Sequence, residues 1–160
     1  MDHFLKMSEI RVAAEPAELE TVVGSCVALC IWDSRAKIGG MAHIVMPERN
    51  GDKNPPEGKY ADSAVASLVA MMLKKGGELR FFSAAFAGGA SMFVRARVPS
   101  YAIGTKNAES VRKHLERLRI PITMHDVGGF AGRKVTFRCT DGKLEIKVLN
   151  RKSLLTNLNN

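Results

Sequence analysis

Two apolar runs, residues 26–32 and 38–46, flank Trp32-Asp33-Ser34-Arg35-Ala36-Lys37, which reads as a turn. A hairpin here commits the chain to a sheet. With the turn centred between Ser34 and Arg35, Asp33 opposes Ala36 and Trp32 opposes Lys37. The same numbering sets Cys26 against His43. Opposed residues point to one face, with Cβ atoms roughly 4.5–5.5 Å apart. A thiol and an imidazole so placed are a candidate nucleophile and base. Gly39-Gly40 leaves room for a bulge, which would shift the pairing by one residue.

Other segments continue the pattern. Residues 8–13 and 18–23 read as short strands around Glu15-Pro16. Asn50 to Lys59, with Pro55-Pro56 and three further Asn or Gly residues, is a loop. Tyr60 to Lys75 has apolar residues at helical spacing (Tyr60, Ala64, Val65, Leu68, Val69, Met72, Leu73) and stops at Gly76-Gly77. Leu79 to Phe86 reads as a strand running into Ala87-Gly88-Gly89-Ala90-Ser91-Met92-Phe93. Thr105 is a candidate cap for a second helix to Arg119, with Ala108, Val111, Leu115 and Leu118 buried. Strands over Ile122–Val127 and Val135–Cys139 follow, then an Asp141-Gly142 turn into Leu144–Val148. Strands with two intervening helices indicate a layered α/β or α+β domain. Residues 1–150 are taken as one domain and 151–160 as a polar tail.

The chain has 160 residues, enough for one domain with a real core. No apolar run reaches the roughly 20 residues of a membrane span, so no membrane insertion is expected. Three cysteines, an odd number without metal-type spacing, argue for a reducing compartment. The cytoplasm is the natural location, and neither a metal nor an organic cofactor is called for. The net charge of +8 is scattered. Its densest cluster, Lys106, Arg112, Lys113, Arg117 and Arg119, is interleaved with Glu109 and Glu116 and reads as a solvated helix face. Few aromatic residues are placed to stack bases, so nucleic-acid binding is not expected.

A buried structural cysteine is the commoner case, and Cys30 between Leu29 and Ile31 illustrates it. Cys26 differs because Gly24-Ser25 precedes it at a strand start. Backbone there can turn sharply and leave N–H groups free for an oxyanion. His43 alone reads as a core histidine; the hairpin gives it a partner. His114 reads as solvated, His3 is terminal, and His125 beside Asp126 is a lesser candidate. The His-x-Glu and Pro-Cys-x-x-Cys pattern of zinc deaminases is absent.

Gly24-Ser25-Cys26-Val27-Ala28-Leu29-Cys30, Met41-Ala42-His43, Gly58-Lys59-Tyr60-Ala61-Asp62, Ala87 to Phe93, Asn107 with Val111, and Asp126-Val127-Gly128-Gly129 together resemble the CheD family. These are the chemoreceptor glutamine deamidases of bacterial and archaeal chemotaxis. The resemblance runs from Thr21 to Val148. It implies a three-layer α/β/β sandwich and hydrolysis of glutamine carboxamides on receptor cytoplasmic coiled coils. It implies Cys26 as nucleophile, His43 as base and Thr21, shortly before the cysteine, as third member. Gly24 and Ser25 would support the oxyanion, and Gly88, Gly89 and Ser91 are candidates for a substrate loop. Phe130 departs from the family pattern, which has a polar residue after the glycine pair.

An ion pair or ready thiolate is the state expected of Cys26 beside His43. The resemblance also implies the CheC phosphatase as a partner in some organisms, so an adaptor role is one alternative. Hydrolysis of receptor glutamyl methyl esters by the same thioester chemistry is another.

Overall fold

A computed structural model describes residues 3–92 and 100–150; Phe93 and the expected tail, 151–160, lie outside the described residues. The elements are β1 (Ile10–Ala14), β2 (Glu18–Val23), β3 (Val27–Asp33), β4 (Ile38–Ile44), α1 (Ala61–Lys74), β5 (Phe82–Gly88), α2 (Ser100–Arg117), β6 (Ile122–Val127), β7 (Gly132–Arg138) and β8 (Leu144–Leu149). A single 3-10 turn, Leu79–Phe81, precedes β5.

Five strands form one sheet in the order β1-β4-β3-β5-β6, and three form a second, β2-β7-β8. All pairs are antiparallel except β5 with β6. The parallel pair is joined by the crossover that contains α2, as parallel neighbours require. Alternation along β3 divides the interior. Val27, Leu29 and Ile31 face one core with Ala64, Leu68 and Met72 of α1 and Val111 and Leu115 of α2. Ala28 and Cys30 face the other, with Leu19, Val135 and Phe137 of the second sheet. The architecture is therefore helices, sheet, sheet, the α/β/β sandwich expected. Strands covered on both faces need no polar face, which is why 26–32 and 38–46 read as continuous apolar runs. Each fully buried Leu or Ile contributes roughly 1.5–3 kcal/mol.

The hairpin has a different register from the one expected. Ala28, not Cys26, opposes His43, and Asp33 opposes Ile38. The turn is Ser34–Lys37 because the Asp33 side chain organises it. Asp33 Oδ1 accepts the Arg35 and Ala36 N–H groups at 2.9 and 2.8 Å. Its Oδ2 accepts Glu78 N–H at 2.8 Å, and Lys37 N–H closes the turn on the Asp33 carbonyl at 3.0 Å. The pairing therefore slides by two residues. A slide of two keeps every side chain on its face, where a slide of one would invert them. Cys26, one residue ahead of β3, thus stays on the face that carries His43, diagonal to it.

No bulge occurs at Gly39-Gly40; both pair regularly with β1 and β3. They let two layers approach. A Cβ on Gly39 would strike the Phe137 ring and come within 2.9 Å of Cys139 Sγ, on the second-sheet side. A Cβ on Gly40 would lie 2.5 Å from Leu68 Cδ1, on the helix side.

Helix α1 follows its expected bounds, with Tyr60 and Lys75 as caps. It closes on Gly76, at φ 113°, whose N–H donates to the Leu73 carbonyl. Leu73 itself points outward at 45% exposure. Helix α2 starts at Ser100, ahead of Thr105, so Thr105 is not its cap. Gly104, inside the helix, packs on the β5 turn. A Cβ there would fall 2.6 Å from the Gly89 carbonyl oxygen. The helix ends at Arg117, leaving Leu118 exposed rather than on the buried face.

Gly39→Ala is expected to cost about 1–3 kcal/mol, since the Phe137 ring is rigid and the layers are close-packed. Gly40→Ala is expected to cost less, because Leu68 can change rotamer. Urea denaturation of the two variants checks the order; equal stability to the parent would show that the layers have slack.

Candidate functional site

The chain passes from the second sheet to the first between Val23 and Val27, and the bend Gly24–Cys26 makes that crossing. Cys26 is half-buried and packs against the core between the sheets, the side of β3 that carries Ala28 and Cys30. The bend is held through its carbonyls. Gly89 N–H donates to Cys26 O at 2.9 Å, and Ala90 N–H to Gly24 O at 2.9 Å. Gly88, at φ 126°, is required here because a Cβ would overlap the Cys26 carbonyl oxygen. Among the described residues, the Ser25 and Cys26 N–H groups make no loop hydrogen bond.

His43 is buried on β4. Its Nδ1 lies 2.7 Å from Thr21 Oγ1, on the β2 strand facing it across the two sheets. Thr21 is itself fully buried, and its hydroxyl donates to the Leu5 carbonyl at 2.8 Å. A hydroxyl has one proton. Since Thr21 spends it on Leu5, it accepts from His43, and Nδ1 carries the ring proton. The lone pair is left on Nε2, which is buried without a hydrogen-bond partner. Nε2 is therefore the basic atom, on the sheet face that also carries Cys26.

Burial sets the protonation of both groups. It pushes the Cys26 thiol up to about 11 from the ordinary 9.0. It pushes His43 down to about 4 from 6.5, with Glu9 opposing weakly. Desolvation disfavours whichever form is charged. At neutral pH the resting pair is thus thiol and neutral imidazole, in place of the expected ion pair. Cys30 and Cys139 are fully buried, and their thiols are also pushed up by burial.

The structure brings Thr21 to His43, and Gly24, Ser25, Gly88 and Gly89 to the Cys26 bend. Gly88 and Gly89 are buried behind the bend; Ser91 is half-buried and its N–H donates to the Gly129 carbonyl at 2.9 Å. Phe130, next to that carbonyl, stands 68% exposed. His125 stacks on Phe86, with ring centres 5.8 Å apart.

Arg133 received no role from sequence. It opposes Val23 and is buried. Its guanidinium donates to the Gly128 carbonyl at 2.8 Å and the Gly88 carbonyl at 3.3 Å, and pairs with Asp126 at 3.2 Å. It ties the two glycine turns behind Cys26 together. The sequence offered only a cation after a glycine-rich loop, two residues ahead of the strand expected from Val135, whereas the strand starts at Gly132 and takes Arg133 in.

Among the described residues, no cluster of His, Cys, Asp or Glu is grouped to hold a metal ion. No described helix is long and apolar enough to cross a membrane. A concavity of about 840 Å³ lies along Arg11–Ala14 and Pro16–Glu18 and is lined by none of Cys26, His43 or Thr21.

The family model described as "CheD chemotactic sensory transduction" matches residues 45–148. The chain is 37% identical over 143 residues to the "Probable chemoreceptor glutamine deamidase CheD" of Methanococcus vannielii, covering 89% of this chain and 92% of that one. It is 38% identical over 148 residues to the "Chemoreceptor glutamine deamidase CheD" of Thermotoga maritima, covering 92% of each. With the "Probable chemoreceptor glutamine deamidase CheD" of Geobacillus kaustophilus it shares 39% identity over 148 residues, 88% of each.

Folding stability should record the buried imidazole. Between pH 6.5 and about 4 the unfolded chain takes up a proton at His43 that the folded chain refuses. Stability therefore falls as pH drops through that window, by up to roughly 3 kcal/mol at about 1.4 kcal/mol per pKa unit. Cys26 acts at the other end, since the folded chain keeps a proton that the unfolded one loses above pH 9, so stability also falls as pH rises from there. Urea melts from pH 4 to 7 should show a shallower acid slope in His43→Ala than in the parent. Identical slopes would mean that His43 titrates alike in the folded and unfolded chains.

Proposed function

The chain belongs to the CheD family, and on that premise we propose that it hydrolyses glutamine side chains of chemoreceptors to glutamate and ammonia. The relatives' names supply the substrate class. The observation that carries the chemistry is the Thr21–His43 hydrogen bond, which leaves His43 Nε2 as a lone acceptor on the face that bears the half-buried Cys26.

In this reading His43 Nε2 takes the Cys26 proton as the sulfur attacks the carboxamide carbon. A neutral pair suits general-base catalysis, where the proton moves during attack. The Ser25 and Cys26 N–H groups receive the developing oxyanion. The imidazolium, still bonded through Nδ1–H to Thr21, gives its proton to the leaving nitrogen, and ammonia departs. The thioester remains. Nε2, neutral again, takes a proton from water as its oxygen attacks the thioester carbon. The sulfur leaves and recovers its proton, and the glutamine has become glutamate. Thr21 keeps the ring in one tautomer and one orientation throughout. The receptor's cytoplasmic coiled coil as substrate, a cytoplasmic location and the CheC phosphatase as second partner belong to the same proposal on family grounds.

Incubation with a receptor cytoplasmic fragment should convert glutamine to glutamate, read by peptide mass spectrometry. Cys26→Ala should abolish conversion with the fold intact, and His43→Ala should lower kcat by roughly 10²–10⁴. Wild-type turnover in Cys26→Ala would remove the nucleophile from the scheme.

The pH profile of kcat/KM separates a neutral pair from an ion pair. Limbs near 4 and 11 follow from the shifts of His43 and Cys26, giving a plateau across neutral pH. A limb between pH 6 and 9 would restore the ion pair. Iodoacetamide should mark Cys26 well before Cys30 and Cys139, because it alone of the three is partly exposed.

A further inference from the structure

The ladder between β3 and β4 ends at Val27 and Ile44. The next pair along, Cys26 and Val45, is not bonded across. Val45 N–H turns away to the Lys59 carbonyl at 2.9 Å, and the Cys26 carbonyl turns to Gly89 N–H. The strands part where the thiol must be reached; the bend is anchored to the β5 turn through Gly89 and Ala90, but no ladder rung ties it to the strand that carries His43.

Asn107 fills that gap. It lies on α2, fully buried. Its Nδ2 donates to the Ser25 carbonyl at 3.0 Å and to the Val45 carbonyl at 3.0 Å. One acceptor immediately precedes Cys26, and the other lies two residues after His43. The two N–H bonds of a carboxamide diverge at a fixed angle in one plane. A single rigid group therefore sets the spacing between the strand ends. Serine or threonine has one donor proton, and aspartate would turn oxygen toward both carbonyls. Asn107 Oδ1 is meanwhile buried with no partner. An orphaned buried acceptor costs stability, so stability alone does not explain this residue.

We propose that Asn107 is a positioning residue that replaces the missing ladder rung and holds the Cys26 bend at the distance from His43 that proton transfer needs. As a statement about the deamidation reaction it rests on the function proposed above. Its consequence is that α2 is mechanically joined to the reacting pair, so helix and site move as one body.

The test uses Asn107→Asp, which keeps the shape and loses the donors, and Asn107→Ser, which is smaller, neutral and keeps one donor. Ser110→Ala is the control. Ser110 lies one turn further on the same helix, and its hydroxyl donates to the Pro47 carbonyl at 2.9 Å. On the receptor fragment, Asn107→Asp should lose at least tenfold in kcat with KM within threefold of wild type. Asn107→Ser should lose less, and Ser110→Ala should keep wild-type kcat. A substrate-free arm follows Cys26 alkylation by iodoacetamide in a double-mutant cycle with His43→Ala. Asn107→Ser should slow alkylation at least fivefold when His43 is present and less than twofold when it is absent. Independent effects in the cycle, or wild-type kcat in either folded Asn107 variant, would overturn the proposal and leave Asn107 as a helix anchor. No deamidation by the wild-type protein would remove the proposed function, while the alkylation cycle still decides the role of Asn107.

Discussion

Burial of β3 and β4 on both faces is the constraint from which the rest follows. Helices cover one side and a second sheet the other, so the two strands can carry apolar residues at every position. The same burial takes water away from the one imidazole and the one accessible thiol at their ends. Desolvation, rather than any neighbouring charge, is the first cause of both shifts. A site made in this way rests neutral, and in the proposed reaction it becomes charged only as bonds form. Its geometry must then be supplied by hydrogen bonds that do not depend on charge.

Those bonds come from parts of the chain far apart in sequence. Thr21 reaches His43 from the second sheet, and its own proton is held by Leu5 near the start of the chain. Arg133, from the strand beside Thr21, ties the Gly88 and Gly128 turns behind Cys26. Asn107 joins the two strand ends from the helix layer. All three layers of the sandwich thus contribute to one small volume. The glycines at 88 and 104 permit this convergence, since a Cβ at either would collide with the backbone it faces. The turn around Cys26 is in this sense a packing device as much as a chemical one.

Much of the architecture was legible in residue order. The helix at Ala61–Lys74, the strand at Ile122–Val127 and the Asp141-Gly142 turn follow from local periodicity and turn chemistry. The motif around Cys26 and His43 indicated the family, and membership of that family follows from the comparisons. The hairpin was legible in parity but not in register. Turn length depended on which backbone groups the Asp33 carboxylate would bind, including one from Glu78 far along the chain. The start of α2 was misplaced because Thr105 offers a cap, whereas the helix runs on through Gly104, which is accommodated where only glycine fits the facing backbone.

The sequence by itself determined that Cys26 and His43 lie on one face of a hairpin, because side chains alternate with a period of two and a slide of two residues preserves that alternation. It also determined the layered class and the kinship. Only the tertiary structure decided which imidazole nitrogen is free, because that depends on where the Thr21 proton goes. Only the tertiary structure decided that the resting pair is uncharged, because desolvation is a property of everything packed around a group and not of the group's neighbours in the chain. Likewise Asn107 and Arg133 acquire their roles only from carbonyls that folding brings within hydrogen-bond reach of them; in the sequence they are an amide on a helix and a cation after a glycine-rich loop.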